Sequence, residues 1–350
     1  MNRPYLPRIA GIRARINHIP ETLIPLLCLS SAILLLRQAS LVSACAREGI
    51  RLWAYSVLPV LLPFIILTKV LILCRVPQWV LMLSRKLFPC SRYLAAGLPL
   101  MLIGLMAGFP IGAILVRHFY EEGLLSKKEA ETLLPLCSLV SPMFLTGYVR
   151  PLYLNCFGSL VSSQTEHEWR IQVFCLYAPL ILLYVICIGT ELCYHLTEKS
   201  GYARQTVSFC RSSAGKKEDS SSLSDIFSSA LEIIFTIGIY MMLFSILLGL
   251  SRETGLFAAE PVQILMSGLE VTSGCNYILT QLEMAYPFTD PGLIRQLLLL
   301  VVLETGGLCT LAQISTVLEG SGLSLAGYIR TRLLATALAL FLYTLIRLIL

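Results

Sequence analysis

Two carboxylates sit inside apolar runs long enough to cross a bilayer. Glu270 lies within Pro261–Leu282 and Glu304 within Gln296–Leu318. An acid at the centre of a membrane costs about 2.5–3.5 kcal/mol on insertion scales, so such acids tend to face the bundle interior and to serve a function. Thr272, Ser273, Asn276, Thr305, Thr310 and Gln313 give the same region unusual polarity for a membrane span. Carboxylates placed centrally would carry a coupling proton or order a polar site through Asn276 and Gln313. The alternative is that each acid lies near a helix end and reaches interfacial water.

A second group of residues breaks helices rather than reacting. Gly108, Pro110 and Gly112 interrupt one apolar run, Ser141-Pro142 another (with Ser138 a turn earlier), and Thr305-Gly306-Gly307 a third. A proline removes a backbone hydrogen bond in the middle of a run. Freed N–H and C=O groups at membrane depth are tolerated only where protein or a watery cavity receives them. Half-helix N-termini offer N–H donors and about half a positive charge to an anion. The competing reading of Gly104, Gly108 and Gly112 is a close helix–helix contact.

Enzymatic chemistry finds little support. His-Glu-Trp-Arg-Ile at 167–171 lacks the second histidine of a zinc-protease motif, and Ser213–Lys216 lies in a polar linker. No glycine-rich phosphate loop is present, and the twelve cysteines include no C-x-x-C pair. No catalytic residue, cofactor or metal is expected.

The elements that must position these residues follow from composition. Of the 350 residues 56% are hydrophobic and 14% charged, with mean hydropathy +0.76. A soluble domain carries about 25% charged residues, so a soluble enzyme is excluded. The net charge of +6 comes without a basic stripe interleaved with aromatics, which argues against nucleic acid. Spanning-length runs give an all-α polytopic membrane protein of about nine transmembrane helices: Thr22–Leu36, Leu52–Cys74, Tyr93–Val116, Thr132–Val149, Ile171–Thr190, Ile233–Ser251, Pro261–Leu282, Gln296–Leu318 and Leu333–Ile346. Val76–Arg92 is amphipathic and expected at the interface. The organisation expected is a basic segment and anchor helix (1–44), a first membrane half (45–195), a polar linker (196–225) and a second half (226–350).

The halves read as repeats. Gly108 aligns with Gly274 and Ser141-Pro142 with Gly306-Gly307, so the two breaks stand 33 and 32 residues apart. Paired interrupted helices in corresponding positions point to a transporter's substrate site. Loop charges conflict, however. Both the 75–92 and the 199–217 basic loops ask for the cytoplasm, which nine simple crossings do not allow. One re-entrant segment, or a count off by one, would resolve it.

GIRLWAYSVLPVLLPF (49–64), GFPIGA (108–113), EAETLL (129–134), LVSPMF (139–144) and GGLCTLAQIS (306–315) together resemble the YlbJ-type sporulation integral membrane proteins. That family belongs to the nucleoside-recognition or Gate-domain group, similar to parts of concentrative nucleoside transporters and of the ferrous-iron transporter membrane domain. The resemblance covers roughly residues 45–349. It implies a role in endospore formation in the outer forespore membrane, with dipicolinic acid as the cargo moved towards the spore. One departure is Val140-Ser141-Pro142, where the family often has an asparagine before the proline. The expected partners are a small anionic solute, the bilayer and a coupling ion (H+ or Na+), with a homo-oligomer left open. Rival readings are a non-transporting scaffold for sporulation proteins and a transporter of a nucleoside-like or metal solute.

Overall fold

In the computed structural model, residues 23–88, 91, 93–157, 163–197, 223–253, 260–282 and 290–349 are described. The anchor's first residues and most of the polar linker lie outside them. The described residues are helical: α1 Leu23–Arg37, α2 Ala39–Leu73, α3 Val76–Leu87, α4 Tyr93–Ala107, α5 Ile111–Glu121, α6 Lys127–Cys137, α7 (142–157), α8 Ser163–Thr197, α9 Leu223–Glu253, α10 Glu260–Ser267, α11 (271–281), α12 Pro291–Thr305, α13 Gly307–Leu318 and α14 Leu325–Ile349.

Six segments are long and apolar enough to cross a membrane: Ala39–Leu73, Lys127–Phe157, Ser163–Cys193, Ile226–Ser251, Pro291–Leu318 and Leu325–Ile349. The other three expected spans are not single helices of that length. Helix α1 has 15 residues, about 22 Å against the roughly 30 Å of a bilayer core. Runs 93–116 and 261–282 are each cut in two, after Ala107 and after Ser267.

Both cut segments fold back on themselves. A Cβ added to Gly104 or to Gly112 would collide with the same carbonyl oxygen, that of Cys137. The two glycines therefore stand side by side, whereas a straight helix would part them by about 12 Å. Likewise the Tyr277 hydroxyl reaches Gln263 Oε1 at 2.9 Å across fourteen residues of chain. So α4–α5 and α10–α11 are helical hairpins, each followed by an interrupted span: α6–α7 broken at 138–141, and α12–α13 broken at Gly306.

The hairpins open at opposite ends of the bundle. Tyr93 N donates to Glu191 (3.3 Å) and Gln78 to Glu122 (3.3 Å), and Ser324 N donates to Glu131 (3.0 Å). This end therefore gathers both limbs of the first hairpin, the start of α6, the end of α8 and the α13–α14 turn. At the other end Arg295 donates to the Leu282 carbonyl, and Gln296 donates to Tyr153 Oη (2.8 Å) and Glu168 (3.0 Å). Those bonds gather the exit of the second hairpin, the end of α7 and the starts of α8 and α12. The return of α4–α5 to its own side puts α3 and the ends of α8 and α9 that flank the linker at one end, which removes the conflict between the basic loops.

Broken helices lie inside and intact ones outside. The apolar windows of Lys127–Phe157 and Pro291–Leu318 are 67% and 61% buried, against 17–33% for the other four. Lipid can cover an intact helix, but it cannot satisfy the open backbone of a broken one. The break positions differ from the sequence expectation in one place. Gly274 does not break its helix; it sits within α11, tight against the Ser267 carbonyl. The second hairpin turns instead at Gly268-Leu269-Glu270, 160 residues after Gly108-Phe109-Pro110, and the flanks match as LMAGFPI (105–111) and LMSGLEV (265–271). Helices resume after the breaks at Ile111 and Pro142, and at Val271 and Gly307, so the spacing is wider in the second pair.

Candidate functional site: a cavity between the helix breaks

Residues of both hairpin tips line one cavity of about 60 Å³, room for roughly four waters. Gly108, Phe109, Val140, Ser141 and Phe144 form one wall. Glu270, Thr272, Thr310 and Gln313 form the facing wall, and Val57, Leu61, Ile237 and Met241 from α2 and α9 close the side.

Each break leaves backbone groups to satisfy, and the sequence supplies a partner for each. Ser141 caps α7, its hydroxyl accepting from Phe144 N at 3.2 Å. Glu270 caps α11 with both oxygens, accepting from Thr272 N (2.8 Å) and Ser273 N (2.6 Å). The N-terminus of α13 donates from Leu308 N to Gly268 O (3.1 Å) and from Cys309 N to Leu269 O (2.9 Å). That close approach requires Gly307, where φ is +76° and a Cβ would fall 2.9 Å from Gly268 O. The loose carbonyls of the first broken span are met from other helices: Val140 O by the Tyr177 hydroxyl at 2.7 Å, and Ser138 O by Arg332. The half-helix N-termini are thus occupied by the protein's own acceptors.

Of the residues singled out from sequence, Gly108, Ser141, Glu270, Thr272, Thr310 and Gln313 line the cavity. Pro110 and Gly112 are buried at the base of α5, and Ser138 is fully buried one step behind the wall. Pro142 faces a separate cleft with Trp169 and Arg170. Ser273 points away, 3.5 Å from the Ser245 hydroxyl on α9, and half-buried Asn276 is not on the lining. Thr305, Gly306 and Gly307 build the second break without reaching the cavity. Thr305 Oγ1 donates to Val301 O at 2.7 Å. The expected ordering through Asn276 and Gln313 is not what the acids do. Glu270 binds backbone, Glu304 binds Arg332, and the Gln313 amide donates to Cys309 Sγ at 3.2 Å.

The sequence gives no sign of Arg332, because the last apolar run begins at Leu333 and leaves Arg332 as a flank. The helix begins at Leu325, which carries Arg332 two turns inward. Its side chain is 4% exposed and its Nη1 lies 3.1 Å from Glu304 Oε2. Phe109 and Phe144 also went unnoticed as cavity walls, since aromatic residues in an apolar run carry no distinguishing signal.

Comparison with known proteins agrees with the membrane character. A 105-residue stretch is 31% identical to the sporulation integral membrane protein YlbJ of Bacillus subtilis (strain 168). It takes in 30% of this chain and 26% of that protein, so the chain matches about a quarter of its relative's length. No family model and no solved structure matches. The chain is an all-helical, multi-pass membrane protein with partial similarity to a sporulation membrane protein.

Proposed function

We propose that this chain is a sporulation membrane transporter that moves a small anionic solute, dipicolinic acid, across the outer forespore membrane by alternating access. The cavity between the two hairpin tips carries this reading. Two hairpins that enter from opposite ends and line one cavity with their tips form a site that either hairpin can uncover by moving, which is how inverted repeats gate a transporter. The LMAGFPI and LMSGLEV tips, each followed by a broken span, support a repeat of residues 45–195 by 226–350.

The lining suits an aromatic acid. Phe109 and Phe144 offer ring faces to a pyridine, and Ser141, Thr272, Thr310 and Gln313 offer hydrogen bonds. Withdrawal of either tip would widen this cavity for cargo. Lys86, Lys127 and Lys128 belong to the end where the first hairpin opens, and the positive-inside rule favours the cytoplasm for that end.

Uptake of labelled dipicolinate into vesicles carrying only this chain, beside nucleoside and ferrous-iron controls, tests the proposal. Saturable dipicolinate uptake that Gly108→Leu abolishes at unchanged protein level is expected. Preference for either control reassigns the cargo. Absence of all uptake, with partner recruitment intact in cells, favours a scaffold instead.

A further inference from the structure

Arg332 is the one buried cation among the described residues, and its contacts exceed what an ion pair alone requires. Nη1 donates to Glu304 Oε2 (3.1 Å), Nε to the Tyr328 hydroxyl (3.3 Å) and Nη2 to the Ser138 carbonyl. The guanidinium carbon stands 5.1 Å from the centre of the Phe109 ring. Phe109 also lines the cavity, so it stands between the cavity and this buried cation. Two buried polar atoms in this cluster have no partner: Glu304 Oε1 and Ser138 Oγ. Both belong to residues bonded to the same guanidinium.

No lysine or arginine is among the cavity-lining residues, and the carboxylate that is, Glu270, has both oxygens engaged by backbone. An anion entering this site with Glu304 ionised meets two carboxylates and a cation already neutralised. Building on the transporter reading above, we infer that Arg332 is the anchor for the cargo's carboxylate, and that Glu304 occupies this anchor until a proton displaces it. The proton adds to Glu304 at its open oxygen and leaves a neutral acid. The Nη1–H bond then passes from Glu304 Oε2 to a cargo carboxylate as the first hairpin tip withdraws Phe109. On the other side of the membrane the proton leaves, Glu304 reclaims the guanidinium and the anion is expelled. One proton accompanies each anion.

The groups facing Glu304 are few. Arg332 and Tyr328 approach from α14, Tyr177 from α8 and Ser138 from the first broken span. None of these but Arg332 is charged near neutral pH. A buried arginine without any counter-charge is costly, so exchanging Glu304 for a cargo carboxylate keeps the guanidinium paired throughout.

The experiment is dipicolinate accumulation and exchange in vesicles with the membrane potential clamped, for wild type, Glu304→Gln and Arg332→Gln. Wild type should accumulate dipicolinate about tenfold per unit of opposing pH gradient, the yield of one proton per anion. Glu304→Gln should lose gradient-driven accumulation, and its exchange rate should stop varying with pH. Arg332→Gln should bind dipicolinate more weakly by about tenfold or more. Wild-type vesicles that take up no dipicolinate overturn the functional reading and this inference together. Wild-type uptake blind to the pH gradient, or Glu304→Gln vesicles that still follow it, overturns the inference alone. Should Glu304→Gln fail to insert, dipicolinate added to the purified wild-type protein in weak buffer must draw protons from solution. No proton uptake on binding likewise overturns it.

Discussion

The two broken spans solve the same backbone problem in different ways. In α12–α13 the break is closed from close by, since Leu308 and Cys309 donate directly to carbonyls at the tip of the second hairpin, and the neighbouring Thr310 hydroxyl donates to the Gly306 carbonyl at 2.7 Å. In α6–α7 the loose carbonyls of Ser138 and Val140 are met by the long side chains of Arg332 and Tyr177, reaching in from α14 and α8. A junction of main-chain bonds moves only as a unit with its hairpin. A junction held by side chains loosens when those side chains turn elsewhere. The first broken span is therefore the easier one to loosen, and Arg332, one of the two residues that pin it, is the charge an anionic cargo would seek.

The largest effect that tests this contrast comes from removing the pin. Arg332→Ala leaves Glu304 buried without its counter-charge and Ser138 O without its donor, and should destabilise the protein by about 3–5 kcal/mol. Thermal unfolding in detergent would show it, and Arg332→Ala combined with Glu304→Ala should recover part of the loss. An equal loss in single and double variants would mean the pair does not act as a unit. Next, Glu270→Ala strips two charged hydrogen bonds from the start of α11 and should cost about 1.5–3 kcal/mol. Ser141→Ala removes one neutral cap from α7 and should cost about 1 kcal/mol. If Ser141→Ala proves the costlier of the two, the second break is not the more firmly built.

Much of this was readable before any coordinates. The helical membrane class, the burial of Glu270 and Glu304, and the breaks at Gly108, Ser141 and Gly306 all follow from residues that a bilayer tolerates poorly. What misled was local. Gly274 reads as a break because it aligns with Gly108, yet the Glu270 cap starts a helix there, and Gly274 is needed for contact with Ser267 rather than for a turn. A nine-span count followed from treating every long apolar run as a crossing, whereas hydropathy does not distinguish a crossing from a hairpin that returns. Arg332 was hidden by the same habit, because a charge was used to mark where a span begins.

The claim on which the rest depends is that the two hairpins enter from opposite sides. Glu122 and Gln281 are exposed at the mouths of the first and second hairpin. Glu122→Cys and Gln281→Cys, each in a background with accessible native cysteines replaced, can be labelled by an impermeant maleimide in right-side-out and inverted vesicles. Position 122 should react only from the cytoplasmic side and position 281 only from the opposite side. Reaction of both from one side would contradict a site reached alternately from two.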